Sequence, residues 1–125
     1  MNDEEQRALI MDFERSRQML GTVSQQKQQY NVQKEVISVS LEELENTKEK
    51  SVLKVVGNIL IQKSVEEMKK ELKEQKETTE LRIKTIEKQE ETLIKKLNSI
   101  KSKVEGTHEK EDSSDDKEVK KKSKK

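Results

Sequence analysis

The chain has no cysteine, no proline and no tryptophan, and its 125 residues include only one phenylalanine, one tyrosine and one histidine. Each shortage closes off a class of protein. Without cysteine there are no disulfide staples, no thiolate metal ligands and no sulfur nucleophile, and nothing points to an oxidising compartment. With 28% hydrophobic and 2% aromatic residues, too few large apolar side chains exist to surround an ordinary globular core, which excludes most enzyme folds. Lysine and arginine number 27 against 26 aspartate and glutamate, and the resulting net charge of +1 provides no field to steer the chain onto nucleic acid or an acidic membrane. No apolar run approaches the roughly 20 residues of a membrane span, and Met1 to Arg7 lacks the basic start and apolar stretch of a secretory leader. A cytoplasmic protein that binds neither nucleic acid nor membrane is the expectation.

What the chain does have is period. At 42% charged residues the composition would suit a disordered protein, but the apolar residues recur with helical spacing over two long tracts that the three glycines, at 21, 57 and 106, hardly interrupt. Alternating steps of four and three from Leu9 reach Phe13, Ser16, Leu20, Val23, Lys27, Tyr30, Lys34, Ile37, Leu41 and Leu44, a mostly apolar heptad seam. Gly21 weakens that helix by about 1 kcal/mol relative to alanine without breaking it. The second tract opens on Ser64-Val65-Glu66-Glu67, a capping box in which the Ser64 hydroxyl meets the Glu67 backbone N–H and the Glu67 carboxylate reaches back. Its seam begins Val65, Met68, Leu72, slips in register near Thr79 in the manner of a stutter, and continues Ile83, Ile86, Leu93, Leu97, Ile100, Val104. At 1.5 Å of rise per residue each tract is roughly 60 Å long.

Between the tracts the period changes. Ser51 to Val56 and Ile59 to Lys63 are short runs rich in β-branched residues, joined by Gly57-Asn58, whose leading glycine suits a type II′ turn. With Val56 opposite Ile59, one face of this hairpin carries Val52, Val56, Ile59 and Ile61, and the other Leu53, Val55 and Leu60. A lone two-stranded hairpin with two apolar faces is marginal in water and calls for completion by other chains.

The spacing therefore predicts a mostly α protein. A domain over 1–104 holds helices over about 4–47 and 64–104 around a hairpin over about 51–63, and the second helix folds back antiparallel on the first as a two-helix coiled coil. Gly106 is expected to end the second helix and 105–125 to form a disordered charged tail. In that tail Lys117 and Lys120 to Lys125, interrupted by Ser123, follow directly on Glu109, Glu111, Asp112, Asp115 and Asp116, which offset the basic field within a Debye length.

Chemistry is scarce. His108 stands alone with no partner for a metal site or a triad, no glycine-rich phosphate loop exists, and pairs such as Glu66 with Lys70 and Glu67 with Glu71 read as helix-surface charges. No catalytic residue, metal or cofactor is expected. Lys27 and Lys34 read as seam residues that bury their stems and hold their ammonium groups in water. Near the free end, Leu9, Ile10, Met11, Phe13, Met19 and Leu20 include residues off the seam, so apolar surface is left over there. Antiparallel return brings Leu93, Leu97, Ile100 and Val104 alongside, and the thioethers of Met11 and Met19 adapt to unlike partners.

The order long helix, Val55-Val56-Gly57-Asn58-Ile59-Leu60-Ile61, long helix resembles prefoldin, and closely its archaeal β class. The run Glu80-Leu81-Arg82-Ile83-Lys84-Thr85-Ile86-Glu87-Lys88-Gln89-Glu90-Glu91 is similar to the second helix of that class, and Ser24-Gln25-Gln26-Lys27 to its glutamine-rich first helix. The likeness extends from about Arg7 to about Lys103, and the single hairpin matches the β rather than the α class. It implies a hexamer of two α-class and four β-class subunits whose hairpins form a β-barrel platform. It further implies an ATP-independent chaperone whose coiled-coil tips hold unfolded proteins and pass them to a group II chaperonin. On that reading Val52, Leu53, Val55, Val56, Gly57, Ile59, Leu60 and Ile61 form the oligomerisation element, and Leu9, Ile10, Met11, Phe13, Met19, Leu20, Leu97, Ile100 and Val104 the client-binding tip. Two departures stand out: Leu53 occupies a first-strand position where the family often has an aromatic residue, and the tail lies outside the shared pattern. A coiled-coil scaffold or tether without chaperone activity is the alternative, and an RNA-binding protein using its tail a third reading.

Overall fold

The computed structural model describes residues 2–108, in which four elements follow one another: α1 (Asp3–Asn46), β1 (Ser51–Val56), β2 (Ile59–Ser64) and α2 (Val65–His108). They divide into two units. One joins the chain up to Thr22 with the chain from Gln89 onward, and the other is Val23–Lys88. They are called the terminal unit and the hairpin unit below.

In the hairpin unit β1 and β2 pair antiparallel with Val56 opposite Ile59, Val55 opposite Leu60 and Lys54 opposite Ile61, the register expected from the two-residue turn. Gly57 has φ of 59° while no non-glycine residue has positive φ, so Asn58 stays in the ordinary region. One positive φ, at the first central residue, is the signature of a type II′ turn rather than type I′. The face that carries Val52 is turned toward the helices: Val52, Leu41 and Met68 pack against a buried cluster of Ile37, Leu44, Val65 and Leu72. Burial of each such side chain stabilises the unit by about 1.5–3 kcal/mol.

Pairs across the two helices of this unit run in opposite order, Tyr30 with Arg82, Lys34 with Glu80 and Glu45 with Lys69, which makes the helices antiparallel. Lys34 meets Glu80 at 3.4 Å, its stem half-buried in the seam as expected for a lysine at such a position. The Arg82 guanidinium lies 5.8 Å from the centroid of the Tyr30 ring and donates to its hydroxyl at 3.3 Å.

Ser64 caps α2. Its hydroxyl oxygen accepts the Glu67 N–H at 3.1 Å and donates to the Glu67 carboxylate at 3.2 Å, so the carboxylate returns to the hydroxyl rather than to the serine backbone. The Val65 N–H donates to the Lys50 carbonyl at 2.9 Å, which ties the start of α2 to the entry of β1. The buried positions then run Val65, Leu72, Thr79, Ile83, Ile86, with Met68 and Lys76 half-buried between them. Two successive steps of four, at Met68–Leu72–Lys76, place the stutter one turn earlier than Thr79, and Thr79 itself is a buried seam residue.

In the terminal unit α1 starts on a capping box that was not foreseen. The Asn2 side-chain oxygen accepts the Glu5 N–H at 2.8 Å, and the Glu5 carboxylate accepts the Asn2 N–H at 3.3 Å. Leu9, Phe13 and Leu20 are half-buried along the seam and Ser16 is almost wholly buried. Across from them Ile100 is buried and Leu93, Leu97 and Val104 are half-buried, and Lys96 pairs with Asp12 at 3.3 Å.

One boundary differs from expectation. α2 continues past residue 104 and through Gly106 to His108. A single glycine costs a helix only about 1 kcal/mol relative to alanine, and no proline follows to stop it. The remainder of the expected tail, 109–125, lies outside the described residues.

Candidate functional site

In the hairpin unit the hairpin itself exposes a cluster of apolar side chains. Alternation turns Leu53, Val55 and Leu60 away from the helices, and they are 63%, 70% and 61% exposed. On the other face Val52 enters the core, while Val56, Ile59 and Ile61, nearer the turn, remain substantially exposed. Gly57 has open space around its missing Cβ, so the turn needs glycine for its φ and not for room. The sheet has two strands and no more among the described residues, so each strand keeps one unpaired edge of backbone donors and acceptors. All eight residues assigned to the oligomerisation element thus come together in one hairpin, although Val52 serves the core of its own unit.

That hairpin is pinned from below by a charge cluster that sequence reasoning treated as an ordinary helix surface. Glu71 of α2 accepts hydrogen bonds from the ammonium groups of Lys54 on β1 and Lys63 on β2, the latter at 3.1 Å. The three side chains are only 26–30% exposed. Hydrogen bonds from Lys54 and Lys63, assisted by their positive charges, hold the Glu71 carboxyl below its ordinary pKa. The signal that could have found it is the pleat: Lys54 and Lys63 share a face with Val52, which places two cations toward α2 with an acid needed between them. Also unforeseen is a stripe of exposed valines on α1, Val32, Val36 and Val39, spaced by four and three away from the seam.

In the terminal unit the apolar residues separate into three environments. Ile100 is buried; Leu9, Phe13, Leu20, Leu97 and Val104 are half-buried; Ile10, Met11 and Met19 are exposed at 50%, 63% and 51%. A cleft of about 190 Å³ opens between the helices, lined by Ile10, Phe13, Ile100 and Val104, with Lys101 and Glu105 at its rim. Met11, Met19, Leu9, Leu20 and Leu97 lie outside that lining, so the structure gathers four of the nine expected residues around one cleft. Leu9 instead borders a polar groove with Glu5, Asp12, Arg15 and Lys103.

Among the described residues no group of three or more His, Asp or Glu side chains could hold a metal ion, and no helix is long and apolar enough to cross a membrane. The chemistry these surfaces offer is apolar burial and strand pairing.

The chain is similar in structure to the prefoldin beta subunit from Thermococcus strain KS-1, with a TM-score of 0.77 and 29% sequence identity over 82% of this chain and 91% of that one. A sequence search of curated proteins found no match. The family model described as prefoldin subunit matches residues 7–111, which take in most of α1, the hairpin and α2. The chain therefore belongs to the prefoldin family and is a chaperone-type subunit built as a helical coiled coil with a β-hairpin.

Proposed function

We propose that the chain is the β-class subunit of a cytoplasmic hexamer containing two α-class and four β-class subunits, and that it holds unfolded proteins without nucleotide and without catalysing a reaction. The observation that carries the proposal is the hairpin: an apolar face of Leu53, Val55 and Leu60 left bare on a two-stranded sheet with open edges, in a chain of the prefoldin family. Pairing of such edges into a closed barrel removes both the exposed apolar area and the unpaired backbone groups. The client-binding element is the terminal unit, through Leu9, Ile10, Met11, Phe13, Met19, Leu20, Leu97, Ile100 and Val104, with the cleft at Ile10 and Phe13 as its anchor point. Affinity there comes from apolar burial at roughly 25 cal/mol per Å², which demands no sequence of the client, and several subunits acting together supply avidity. Delivery of the client to a group II chaperonin completes the role.

The test is co-expression with an α-class prefoldin subunit, native mass measurement of the product, and aggregation suppression for a chemically denatured protein without nucleotide. A hexamer that suppresses aggregation at near-stoichiometric amounts is the expected result. Assembly without suppression would identify a coiled-coil scaffold instead, and a chain that remains monomeric beside its partner would remove the hairpin from its assigned role.

A further inference from the structure

We propose that Glu71 is a positioning residue for assembly: by anchoring both strands to α2 it fixes the angle at which the hairpin leaves the helix and hence the direction in which Leu53, Val55 and Leu60 face a neighbouring subunit. This rests on the reading of the hairpin as the assembly element.

The register carries the first step. Lys54 lies opposite Ile61 and Lys63 opposite Val52, so the two lysines are diagonal neighbours on one face of the sheet. Two ammonium groups so placed repel each other unless an anion stands between them. Glu71 supplies that anion from a different element, and each of its carboxylate oxygens takes one lysine, Oε1 from Lys54 and Oε2 from Lys63. The contact is therefore a two-point one, with one anchor on each strand. The Val65–Lys50 hydrogen bond and Val52 hold the base of the hairpin, and two contacts on separate strands restrict its twist further toward the turn than one could.

Burial carries the second step. Side chains at 26–30% exposure are far less solvated than those of a pair such as Arg17 with Glu14, at 61% and 52%, of the kind that contributes little in water. The cluster is also placed where it matters. Val52 secures only the open end of the hairpin to the core, and no other charged side chain among the hydrogen bonds and ion pairs described for the strands reaches a helix. Beyond the Lys54–Ile61 pair the strands continue to the Gly57-Asn58 turn through Val55, Val56, Ile59 and Leu60, all of them exposed. A closed assembly needs each subunit to present its interface at one angle, because an error in that angle opens the ring or leaves edges unpaired. Order fixed in the free subunit is order that need not be lost on association.

The experiment uses the full chain carrying Glu71→Gln, alone and co-expressed with an α-class prefoldin subunit. In the free subunit, helix content and melting temperature stay near those of the parent, while amides of 51–64 exchange faster with solvent. In the complex, native mass across a dilution series shows dissociation at protein concentrations about ten-fold higher than for the parent. The charge-swapped triple variant Lys54→Glu, Lys63→Glu, Glu71→Lys restores both readouts. Parent-like assembly of Glu71→Gln while Ile59→Asp dissociates overturns the proposal and leaves the hairpin reading standing. Parent-like assembly of both variants removes the hairpin reading and the proposal with it. Should Glu71→Gln fail to fold, Lys54→Met with Lys63→Met removes both anchors without altering α2, and its unchanged assembly and exchange would overturn the proposal equally.

Discussion

The hairpin unit and the terminal unit both expose apolar side chains, but they hold them differently. In the hairpin unit the exposed residues stand on a paired strand ladder whose register is set by Gly57, whose inner face reaches the core through Val52, and whose two lysines are bridged by Glu71. The surface is held at both strands and at the core. In the terminal unit Ile10 and Met11 stand on a helix whose seam includes Ser16 and half-buried neighbours, around a cleft already open between the helices. A rigid surface suits a partner of fixed shape, and a yielding one suits partners of many shapes. On the proposed function, the firmly held surface is the one that meets other subunits and the less firmly held one is the one that meets clients.

The largest effect is expected at Ile59. An aspartate there puts an unpaired carboxylate on a strand that the proposed assembly covers with another chain, at a cost of several kcal/mol, so Ile59→Asp should dissociate the complex with an α-class subunit. Sedimentation of a fully assembled variant would show that the hairpin is not the rigid interface described. Next in size is the yielding surface. Replacement of Ile10, Met11 and Phe13 together by serine should lower aggregation suppression several-fold while native mass remains that of the parent complex, and unchanged suppression by an intact complex would move client binding elsewhere.

Two smaller effects sharpen the rigid side. Gly57→Ala meets no atom but places an L-residue at φ of 59°, which should cost about 1–2 kcal/mol and appear as a lowered melting temperature without a new steric clash. The smallest effect is with pH. Because the Glu71 carboxyl is held below its ordinary value, the stability it contributes is present above the range where an unfolded glutamate titrates. That contribution is lost as pH falls through the lowered folded-state value. Acid titration of stability should therefore be shallower in Glu71→Gln than in the parent, and identical slopes would place Glu71 outside the cluster in solution.

Much of this fold was legible in the sequence because it repeats. Every position of the α1 seam from Leu9 to Leu44 is buried or half-buried, including Lys27, Lys34 and Ser16, since a four-three period leaves a helix only one face to bury. The hairpin was legible from Gly57-Asn58 and alternation alone. What escaped depends on contacts between elements distant in sequence. Glu71 lies 17 residues from Lys54 and reads as one more charged residue in a charged helix until the strands are folded over it. Gly106 misled because a glycine marks a helix end only when the chain beyond it has somewhere else to go. The exposed and half-buried members of the proposed client-binding set could not be told apart, because helical period places a residue on a face but does not say how far the neighbouring helix covers it.

Ser16 is 1% exposed and sits where a heptad would ordinarily place a leucine. Its side chain brings one carbon to the seam in place of four, and at about 0.8 kcal/mol per buried CH₂ the two helices are held there by roughly 2 kcal/mol less than a leucine would give. Separation of the helices near Ser16 therefore exposes little apolar surface and carries a smaller penalty than at a leucine. In kinetic terms this is a low point on the opening barrier: amides flanking Ser16 should exchange with solvent well before those flanking Ile37 and Leu44. The terminal unit would then breathe on its own timescale while the core beneath the hairpin stays shut.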